Sequence, residues 1–483
     1  MNLNVADLIA SRAEEHQERP ALLEKDHSLS YQELIRRADD FAALVRHQLE
    51  RHWPAVPKHR VGLFCPNGAQ YVIAALGILR AGACFVPIAS ELAPPERSLQ
   101  ASRTALHLIL SIGPNIWPDA PMGSEETAGF IWHWSVPVCA PSFCEERFAA
   151  LNPAFIRFSS GTTGESNGVV LGHASLLERI TSANRRLGIS CRDRILWTLP
   201  MAHHFAVSIV LYLYEGATVL LEDSHLASDI LQSARRHEAT LMYGSPFHYA
   251  LLAAESSGED WPSLRLAVST AAALRKDTAA SFLERFQVPL TQGLGVIEAG
   301  LPLLNTDAAA TFPLSVGRPD DFEVSIRDEC GNELTGGMVG ELFLRGPGFF
   351  DAYLLPWRER EEVISDGWFA TGDLAQSDAS GQIFLKGRCK SVINVGGMKF
   401  FPEEVEDVLN RHPAVGGSRV FSAPHERWQS VPVAEIVPSH SEASPSPAAL
   451  SRYCREHLAS YKVPVRFVFV SEIPLTASGK VKR

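Results

Sequence analysis

Strand-like apolar runs alternate with helical segments over most of the chain, and this alternation leaves few folds open to it. Residues 60–65 form a predicted strand, and residues 69–80 then place apolar side chains all round, which is typical of a buried crossover helix. Further strand-like runs occur at residues 83–88, 108–112 and 218–221. The sequence therefore predicts an α/β fold with a substantially parallel sheet.

The length of 483 residues exceeds what one hydrophobic core supports, so we expect two or three domains. Irregular connectors are predicted at residues 113–145, rich in Pro, Gly and Trp, and at the Pro/Ser-rich residues 439–447. The sequence predicts a large multi-layer body with mixed and parallel sheets over residues 1–387. A small α+β domain is predicted over residues 388–483.

Composition and charge exclude several classes of protein. Apolar residues make up 46% of the chain and charged residues 20%, which are ordinary values for a folded globular protein. A net charge of −11 disfavours a nucleic-acid partner. Apolar runs such as Phe205–Tyr214 are about half the length that a membrane span needs. The N-terminus lacks the pattern of a secretory signal, so we expect a cytoplasmic protein.

A segment rich in glycine and hydroxyl residues follows the predicted strand 155–158. Its glycines allow backbone N–H groups to converge on an anion, and its hydroxyls add hydrogen-bond donors. The segment predicts a phosphate-binding loop, although its composition alone also fits an ordinary turn between two strands. Its central residues are Ser159, Ser160, Gly161, Thr162, Thr163 and Gly164.

Four further segments occur in a fixed order after this loop, and together the five resemble the signatures of the adenylate-forming superfamily of acyl- and aryl-CoA ligases. The resemblance spans the whole chain, and five motifs in order are far more specific than any one of them. The four segments are Gln292 to Glu298, Gly367 to Asp373, Gly387 to Gly397 and Pro474 to Lys480.

The resemblance implies ATP-dependent activation of a carboxylic acid to an acyl adenylate with release of pyrophosphate, followed by transfer to a thiol. Glu298 is implied to hold the Mg²⁺ that bridges phosphate oxygens, because Mg²⁺ prefers oxygen ligands. Lys480 is implied to bring an ammonium between the carboxylate and the α-phosphate. His203 is implied to lie beside the incoming carboxylate, and Thr162 is a further catalytic residue by the same resemblance.

Several other residues are implied to bind the nucleotide. Asp373 is expected to accept hydrogen bonds from both ribose hydroxyls, with Arg388 as a neighbouring donor. Adenine is expected to lie against a loop of small residues that includes Ala271 and Ala272. The remaining nucleotide-binding candidates are Ser159, Ser160, Gly161, Thr162, Thr163, Gly164, Gln292, Gly293, Leu294 and Ile297.

The predicted acid pocket lacks the aspartate with which amino-acid-activating relatives pair the substrate's ammonium, so an amino acid is disfavoured. The segment Pro200-Met201-Ala202-His203 looks most like that of aryl-acid activators, and an aryl or medium-sized apolar acid is the expected substrate class. Its predicted walls are His203, His204, Phe205, Ile209 and Gly293.

The last part of the chain resembles the family's small mobile domain, which swivels between two catalytic arrangements. Lys390 lies at the position of the hinge, and Gly396 and Gly397 are expected to line the thiol channel. A plain flexible connector is the alternative interpretation of Lys390. Because no carrier domain is appended, we expect a free-standing ligase whose thiol comes in trans, from coenzyme A as the leading acceptor or from the phosphopantetheine arm of a separate carrier protein.

Three departures from the family pattern leave other functions open. Asn167 stands where the phosphate loop usually has lysine, Leu294 replaces an aromatic residue that stacks on adenine, and Ile297 replaces a hydroxyl residue. The alternatives are an acyl-AMP ligase that loads a separate phosphopantetheinylated carrier protein in secondary metabolism, and a non-catalytic nucleotide-binding scaffold. An amine acceptor also stays open, and the sequence fixes neither the acid nor the oligomeric state.

Overall fold

The computed structural model describes residues 3–112, 122–137, 144–158, 168–224, 226–270, 272–391, 393–395, 398–425, 429–439, 445–474 and 481. The described chain divides into two compact units. The first contains the described residues up to 322 together with 346–367, and the second contains 323–345 and the described residues from 368 onward. The predicted domain boundary between residues 387 and 388 stays a prediction.

The α-helices of the described chain are α1 (Val5–Ala13), α2 (Tyr31–His52), α3 (Ala69–Arg80), α4 (Pro94–Thr104), α5 (Glu145–Ala150), α6 (His173–Leu187), α7 (Met201–His204), α8 (Ile209–Tyr214), α9 (Ala227–Arg236), α10 (Pro246–Ala254), α11 (Lys276–Phe286), α12 (Arg360–Val363), α13 (Pro402–Leu409) and α14 (Pro447–His457). Short 3₁₀ helices occur at Cys389–Ser391 and Ser460–Lys462.

The strands of the described chain are β1 (Pro20–Glu24), β2 (His27–Ser30), β3 (Arg60–Phe64), β4 (Cys84–Ile88), β5 (Leu108–Ser111), β6 (Met122–Thr127), β7 (Phe130–Ser135), β8 (Pro153–Arg157), β9 (Val169–Gly172), β10 (Arg194–Trp197), β11 (Thr218–Leu221), β12 (Leu241–Gly244), β13 (Leu266–Ser269), β14 (Leu290–Val296), β15 (Gly300–Leu304), β16 (Glu323–Arg327), β17 (Gly340–Arg345), β18 (Ala352–Tyr353), β19 (Arg358–Glu359), β20 (Phe369–Ser377), β21 (Ile383–Arg388), β22 (Ile393–Val395), β23 (Met398–Phe400), β24 (Val415–His425), β25 (Gln429–Pro438) and β26 (Arg466–Phe469).

The first unit contains two large sheets with parallel centres. One has the order β15-β14-β13-β12-β10-β11-β1-β2, with antiparallel strands only at its two edges. The other has the order β19-β18-β9-β8-β4-β3-β5-β7-β6, with β3, β4, β5 and β8 parallel. Buried apolar residues of α9, α10 and α11 pack on the first sheet. These parallel strands confirm the predicted α/β fold.

The second unit contains two smaller, mainly antiparallel sheets. One has the order β16-β17-β20-β21, and the other has the order β23-β22-β25-β24, with β26 parallel to β25. Residues of α13 and α14 contribute Val405, Leu409, Leu450 and Cys454 to the core on the second of these sheets. This α+β arrangement is the one that the sequence predicts for the end of the chain.

Most local predictions agree with the structure, and one is wrong. The predicted helix at residues 69–80 is α3, and the predicted strands at residues 60–65, 83–88, 108–112 and 218–221 correspond to β3, β4, β5 and β11. The segment 113–145 is not wholly an irregular connector, because β6 and β7 form an antiparallel hairpin at the edge of a sheet. None of the helices within the described ranges is both long and apolar enough to span a bilayer.

Candidate functional site

The carboxyl ends of four adjacent parallel strands bring the first group of predicted site residues together. Strand β10 ends at Trp197, which pairs with Tyr243 on β12, and β13 ends at Ser269, which pairs with Gln292 on β14. In open α/β sheets, ligands bind outside this edge of the strands. Strand order therefore gathers side chains that are up to about a hundred residues apart in the sequence.

Glu298 lies in the tight connection between β14 and β15, and three protein groups hold it. Arg179 of α6 donates from Nη2 to the Glu298 carbonyl oxygen at 2.7 Å, and the Phe350 backbone N–H donates to the same oxygen at 2.7 Å. The Tyr353 hydroxyl donates to Oε1 of the Glu298 carboxylate at 2.9 Å. Burial and the neighbouring carboxylate raise the pKa of Tyr353 well above its usual value, so the phenol stays a donor.

Arg179 is a residue that sequence reasoning missed. Its side chain is buried, and besides the Glu298 carbonyl it donates to the carbonyl oxygens of Ile297 at 3.0 Å and Gly348 at 2.9 Å. Burial lowers the pKa of Arg179 to about 9, yet the guanidinium remains charged at neutral pH. Three carbonyl acceptors from two distant segments therefore fix the backbone that carries Glu298.

His203 lies in the short helix α7, which Asn67 anchors after the turn at Pro200. The Asn67 side chain accepts from the Met201 N–H at 2.9 Å and donates to the Leu199 carbonyl at 3.1 Å. Nε2 of His203 lies 2.9 Å from Oε1 of Glu91, and this hydrogen bond is the main cause that lowers the pKa of Glu91. The His203 ring is therefore fixed by a carboxylate 112 residues away in the sequence.

Arg157, the last residue of β8, also contacts His203. Its Nη2 donates a short hydrogen bond to the His203 carbonyl oxygen. Burial lowers the pKa of Arg157 to about 10, and Tyr71, Tyr243 and Glu298 are close enough to raise it in part. Sequence reasoning missed Arg157, since a single arginine at the end of a strand carries no motif.

The predicted walls of the acid pocket have different surroundings. The His204 ring lies edge-on to Trp197 at 6.0 Å and to Tyr243 at 6.3 Å, and those two aromatic rings stack at 5.9 Å. Phe205 packs on Tyr71 and the neighbouring phenylalanines of the core. The structure therefore assembles an aromatic wall from Trp197, His204 and Tyr243.

Ile209 and Gly293 also have defined environments. Ile209 begins α8 and is fully buried. A Cβ atom at Gly293 would lie 3.0 Å from the Leu301 side chain and 3.1 Å from the Leu304 side chain, so glycine there lets β15 pack closely on β14. Their predicted role as pocket walls stays a prediction.

Nucleotide-binding candidates of the first unit cluster on and after β13 and β14. Gln292 is buried, and its Oε1 lacks a hydrogen-bond partner among the residues that the structure describes. Ser269 is fully buried, and its hydroxyl oxygen also lacks a hydrogen-bond partner among the described residues. Leu294 is buried, Ile297 is half-buried and Ala272 is partly exposed. Buried polar atoms without partners are costly in a folded protein, which fits atoms that a ligand satisfies.

In the second unit, Asp373 and Arg388 face each other across β20 and β21. Nε of Arg388 lies 2.7 Å from Oδ1 of Asp373, and Nη1 donates to the Thr371 carbonyl at 3.2 Å. The Asp373 backbone N–H donates to the Thr371 hydroxyl at 3.0 Å. The two residues predicted to bind ribose are thus neighbours, as that role requires, and their ribose contact stays a prediction.

The remaining predicted residues lie wholly or partly outside the described structure. Lys390 belongs to the 3₁₀ helix Cys389–Ser391, and its side chain is not among the described groups. The other predicted residues, with the departure Asn167, lie outside the described residues; they are Ser159, Ser160, Gly161, Thr162, Thr163, Gly164, Ala271, Gly396, Gly397 and Lys480.

Comparison with known proteins covers both parts of the chain. The family model of AMP-binding enzymes matches residues 9–354, and the model of the AMP-binding enzyme C-terminal domain matches residues 404–480. The chain is 29% identical to a sulfoacetate–CoA ligase of Cupriavidus necator, over 99% of this chain and 96% of the relative. It is 28% identical to a feruloyl-CoA synthase of an Amycolatopsis species, over 94% and 92% of the two chains.

A solved structure gives the same result for the fold. The o-succinylbenzoate coenzyme A synthetase of Bacillus subtilis, solved in complex with AMP, superposes with a TM-score of 0.83. The two chains are 25% identical, and the match covers 99% of this chain and 97% of the other.

Proposed function

The chain belongs to the AMP-binding enzyme family and is an AMP-forming acid–CoA ligase, and we propose that its substrate is an aryl or medium-sized apolar carboxylic acid. In the first step a carboxylate oxygen attacks the α-phosphorus of ATP, the new C–O–P linkage forms, and pyrophosphate leaves. In the second step the thiolate of coenzyme A attacks the acyl carbon, and AMP leaves.

The observation that carries the proposed substrate class is the aromatic wall of Trp197, His204 and Tyr243. Trp197 ends β10, and Tyr243 lies one residue before the end of the neighbouring parallel strand β12, at the edge where ligands of α/β sheets bind. Trp197 and Tyr243 are buried, at 1% and 5% exposure, and we propose that the ring or alkyl part of the acid packs against this cluster of stacked and edge-on rings. Glu91 is paired with His203, the residue that precedes His204 of this wall, so Glu91 does not offer a free partner for a substrate ammonium.

Glu298 fits the role of holding Mg²⁺. Its Oε2 has no hydrogen-bond partner among the described residues, whereas Oε1 is held by Tyr353. The described residues contain no group of three His, Cys, Asp or Glu side chains that could bind a metal without help. A single oriented carboxylate suits Mg²⁺ that arrives with the phosphates of ATP, since this ion usually keeps few protein ligands. When bound, it neutralises charge that develops on the phosphate oxygens.

The remaining roles rest on the resemblance. We propose that Asp373 and Arg388 bind the ribose, that Lys480 brings its ammonium to the α-phosphate, and that Lys390 is the hinge. Transfer to a carrier protein is the alternative to coenzyme A, and cytoplasmic location stays a prediction. The scaffold alternative rests on Asn167, Leu294 and Ile297, and it predicts ATP binding without turnover.

The first experiment measures acid-dependent exchange of labelled pyrophosphate into ATP. The panel contains benzoate, 4-hydroxycinnamate, hexanoate and sulfoacetate, each with Mg²⁺. We expect exchange with an aromatic acid or with hexanoate, and formation of the acyl-CoA when coenzyme A is added. If the protein binds ATP but none of a broad set of acids supports pyrophosphate exchange, the result would contradict the proposal and favour the scaffold.

A second experiment tests Glu298. We expect Glu298→Gln to lower acid-dependent exchange at least about a hundredfold, because an amide binds Mg²⁺ weakly and the transition-state charge loses its counter-ion. The MgATP dissociation constant, measured by calorimetry with and without Mg²⁺, should lose its metal dependence. Glu284→Gln, on the exposed face of α11, is the matched control and should change neither quantity. Unchanged metal dependence in Glu298→Gln would refute the assignment.

A further inference from the structure

We propose that Arg157 binds the carboxylate of the acid substrate, so that it is a carboxylate-binding residue of this enzyme. This inference rests on the proposed function and deepens it. Arg157 ends β8 just before the predicted phosphate loop, and its strand partner across the sheet is Val169, just after that loop. Its guanidinium contacts the carbonyl of His203, the residue predicted to lie beside the incoming carboxylate.

The first argument comes from a comparison with two buried arginines of the same unit. Arg60 has a fully buried side chain, and two of its nitrogens each lie 2.7 Å from an oxygen of Glu145. Arg179 donates to three backbone carbonyls, one from each guanidinium nitrogen. Each buried charge thus has partners, as the cost of desolvating an ion requires.

Arg157 lacks such compensation. The Arg157 side chain is half-buried, and burial is the main cause that lowers its pKa to about 10, so the guanidinium is partly desolvated but still charged at neutral pH. Within the described ranges its one hydrogen bond is to the His203 carbonyl, and it forms no ion pair with a carboxylate. A guanidinium has five N–H donors, and a planar carboxylate accepts two of them in parallel. The guanidinium therefore keeps N–H donors that could bind an anion, since none of the described carboxylates forms a hydrogen bond with it.

A second, independent observation comes from Tyr71 of α3. This residue is fully buried, and its hydroxyl has no hydrogen-bond partner among the described residues. Tyr71 and Arg157 are close enough to influence each other's pKa, so the unused hydroxyl and the unused guanidinium N–H groups share one neighbourhood. A buried hydroxyl without a partner is costly, and a carboxylate oxygen would satisfy it.

The position also explains why the anion is a carboxylate and not a phosphate. Arg157 lies against the backbone of His203 and within electrostatic range of both Tyr243 of the aromatic wall and Glu298. The acid's apolar part is assigned to that wall, and the nucleotide phosphates to Glu298 and its metal. The carboxylate must lie between these two regions in order to attack the α-phosphorus. Arg157 can hold the oxygen that does not attack and becomes the carbonyl oxygen of the adenylate.

The test compares an acid with its neutral amide. The panel acid with the fastest pyrophosphate exchange and its primary carboxamide are titrated into full-length wild-type protein and into Arg157→Met, and ATP is titrated separately. We expect wild type to bind the acid at least tenfold more tightly than the amide, and Arg157→Met to lose most of this preference. ATP affinity should change less than threefold. Arg192→Met, an exposed arginine, is the matched control and should keep the preference.

Other outcomes overturn the inference. A preference for the acid that persists in Arg157→Met refutes carboxylate binding, and a tenfold loss of ATP affinity with unchanged acid binding assigns Arg157 to the phosphates. Arg157→Lys, which keeps a cation but loses the planar fork, guards against a folding defect and should recover part of the preference. If wild type exchanges pyrophosphate with no acid, the proposed function itself fails, which is a distinct result from failure of the Arg157 assignment.

Discussion

At the scale of single residues, the site depends on partners that are distant in the sequence. Glu298 and His203 are predictable from motifs, but Arg179, Glu91, Asn67 and Tyr353 are not. Each of these acts through one to three hydrogen bonds to residues more than 50 positions away. Such contacts leave no local periodicity or spacing in the chain, because they exist only once the strands have been ordered.

The pair of Glu91 and His203 gives a prediction at this scale. Glu91 orients the His203 ring, so we expect Glu91→Gln to lower kcat/KM for the acid about threefold to tenfold, while KM for ATP stays unchanged. The hydrogen bond from His203 lowers the pKa of Glu91, so the contact is complete near neutral pH and is lost as pH falls through that lowered pKa. The wild-type rate should therefore approach that of the variant in acid.

The measurement is a pH series of initial rates for both proteins, with acid and ATP varied separately. Glu50→Gln, an exposed change on α2, serves as the control and should follow wild type at every pH. A Glu91→Gln variant with the wild-type pH profile would show that the carboxylate has no part in positioning His203.

At the scale of elements, the apolar runs of the sequence predicted the buried strands well but did not predict the hairpin of β6 and β7 at the sheet edge. Strands β3 and β4 are buried on both faces, and their sequences are therefore nearly continuous runs of apolar residues. Strand β6 is an edge strand of polar sequence, Met-Gly-Ser-Glu-Glu-Thr, so nothing in it alternates. Its conformation comes from pairing with β7, whose Trp132 is fully buried against Phe41 at 4.6 Å.

The close approach of Gly348 to α6 gives a prediction at this scale. Gly348 has φ of +69°, and a Cβ atom there would lie 2.7 Å from both Cα and N of Arg179, so backbone must move. We expect Gly348→Ala to lower the free energy of unfolding by about 2 to 4 kcal/mol, from strain and overpacking together. Because Arg179 holds the Glu298 backbone, catalysis should fall as well.

Gly188 provides the matched comparison. It ends the same helix with φ of +58°, and a Cβ atom there would have nothing within 4 Å. Gly188→Ala therefore isolates the conformational penalty, about 1 kcal/mol, in urea unfolding of both variants. Equal destabilisation by the two changes would show that the helix tolerates the added methyl group at Gly348.

At the scale of the whole molecule, the order of strands and helices was predictable because each parallel pair needs a crossover connection. The sequence also predicts the small α+β part, which contains α13, α14 and their sheet. The extent of the second unit was not predictable, since residues 323–345 join it from an earlier part of the chain. Antiparallel pairing of β17 with β20 creates that link. A local sequence pattern does not predict this pairing, because residues 346–367 of the first unit separate the two strands in the sequence.

The stability of the molecule in acid gives the final prediction. His107 and His173 are buried, and each accepts a backbone N–H at Nδ1, from Arg60 at 3.0 Å and from Val5 at 3.1 Å. Burial is the main cause that lowers both pKa values to about 3. Protonation of Nδ1 would also break these hydrogen bonds, so the geometry favours the neutral ring independently.

The sign follows from the protons bound in each state. Below about pH 6.5 the unfolded chain binds a proton at each of these histidines while the folded chain does not, so stability falls as pH is lowered toward 3. Each histidine contributes a slope of about 1.4 kcal/mol per pH unit in this window.

Hydrogen–deuterium exchange at the histidine ring carbons, measured by mass spectrometry, should show both rings neutral at pH 5. His173→Asn should reduce the slope by one proton, whereas His27→Asn, an exposed control, should leave it unchanged. Titration of the His107 and His173 rings near pH 6.5 in the folded protein would contradict this account.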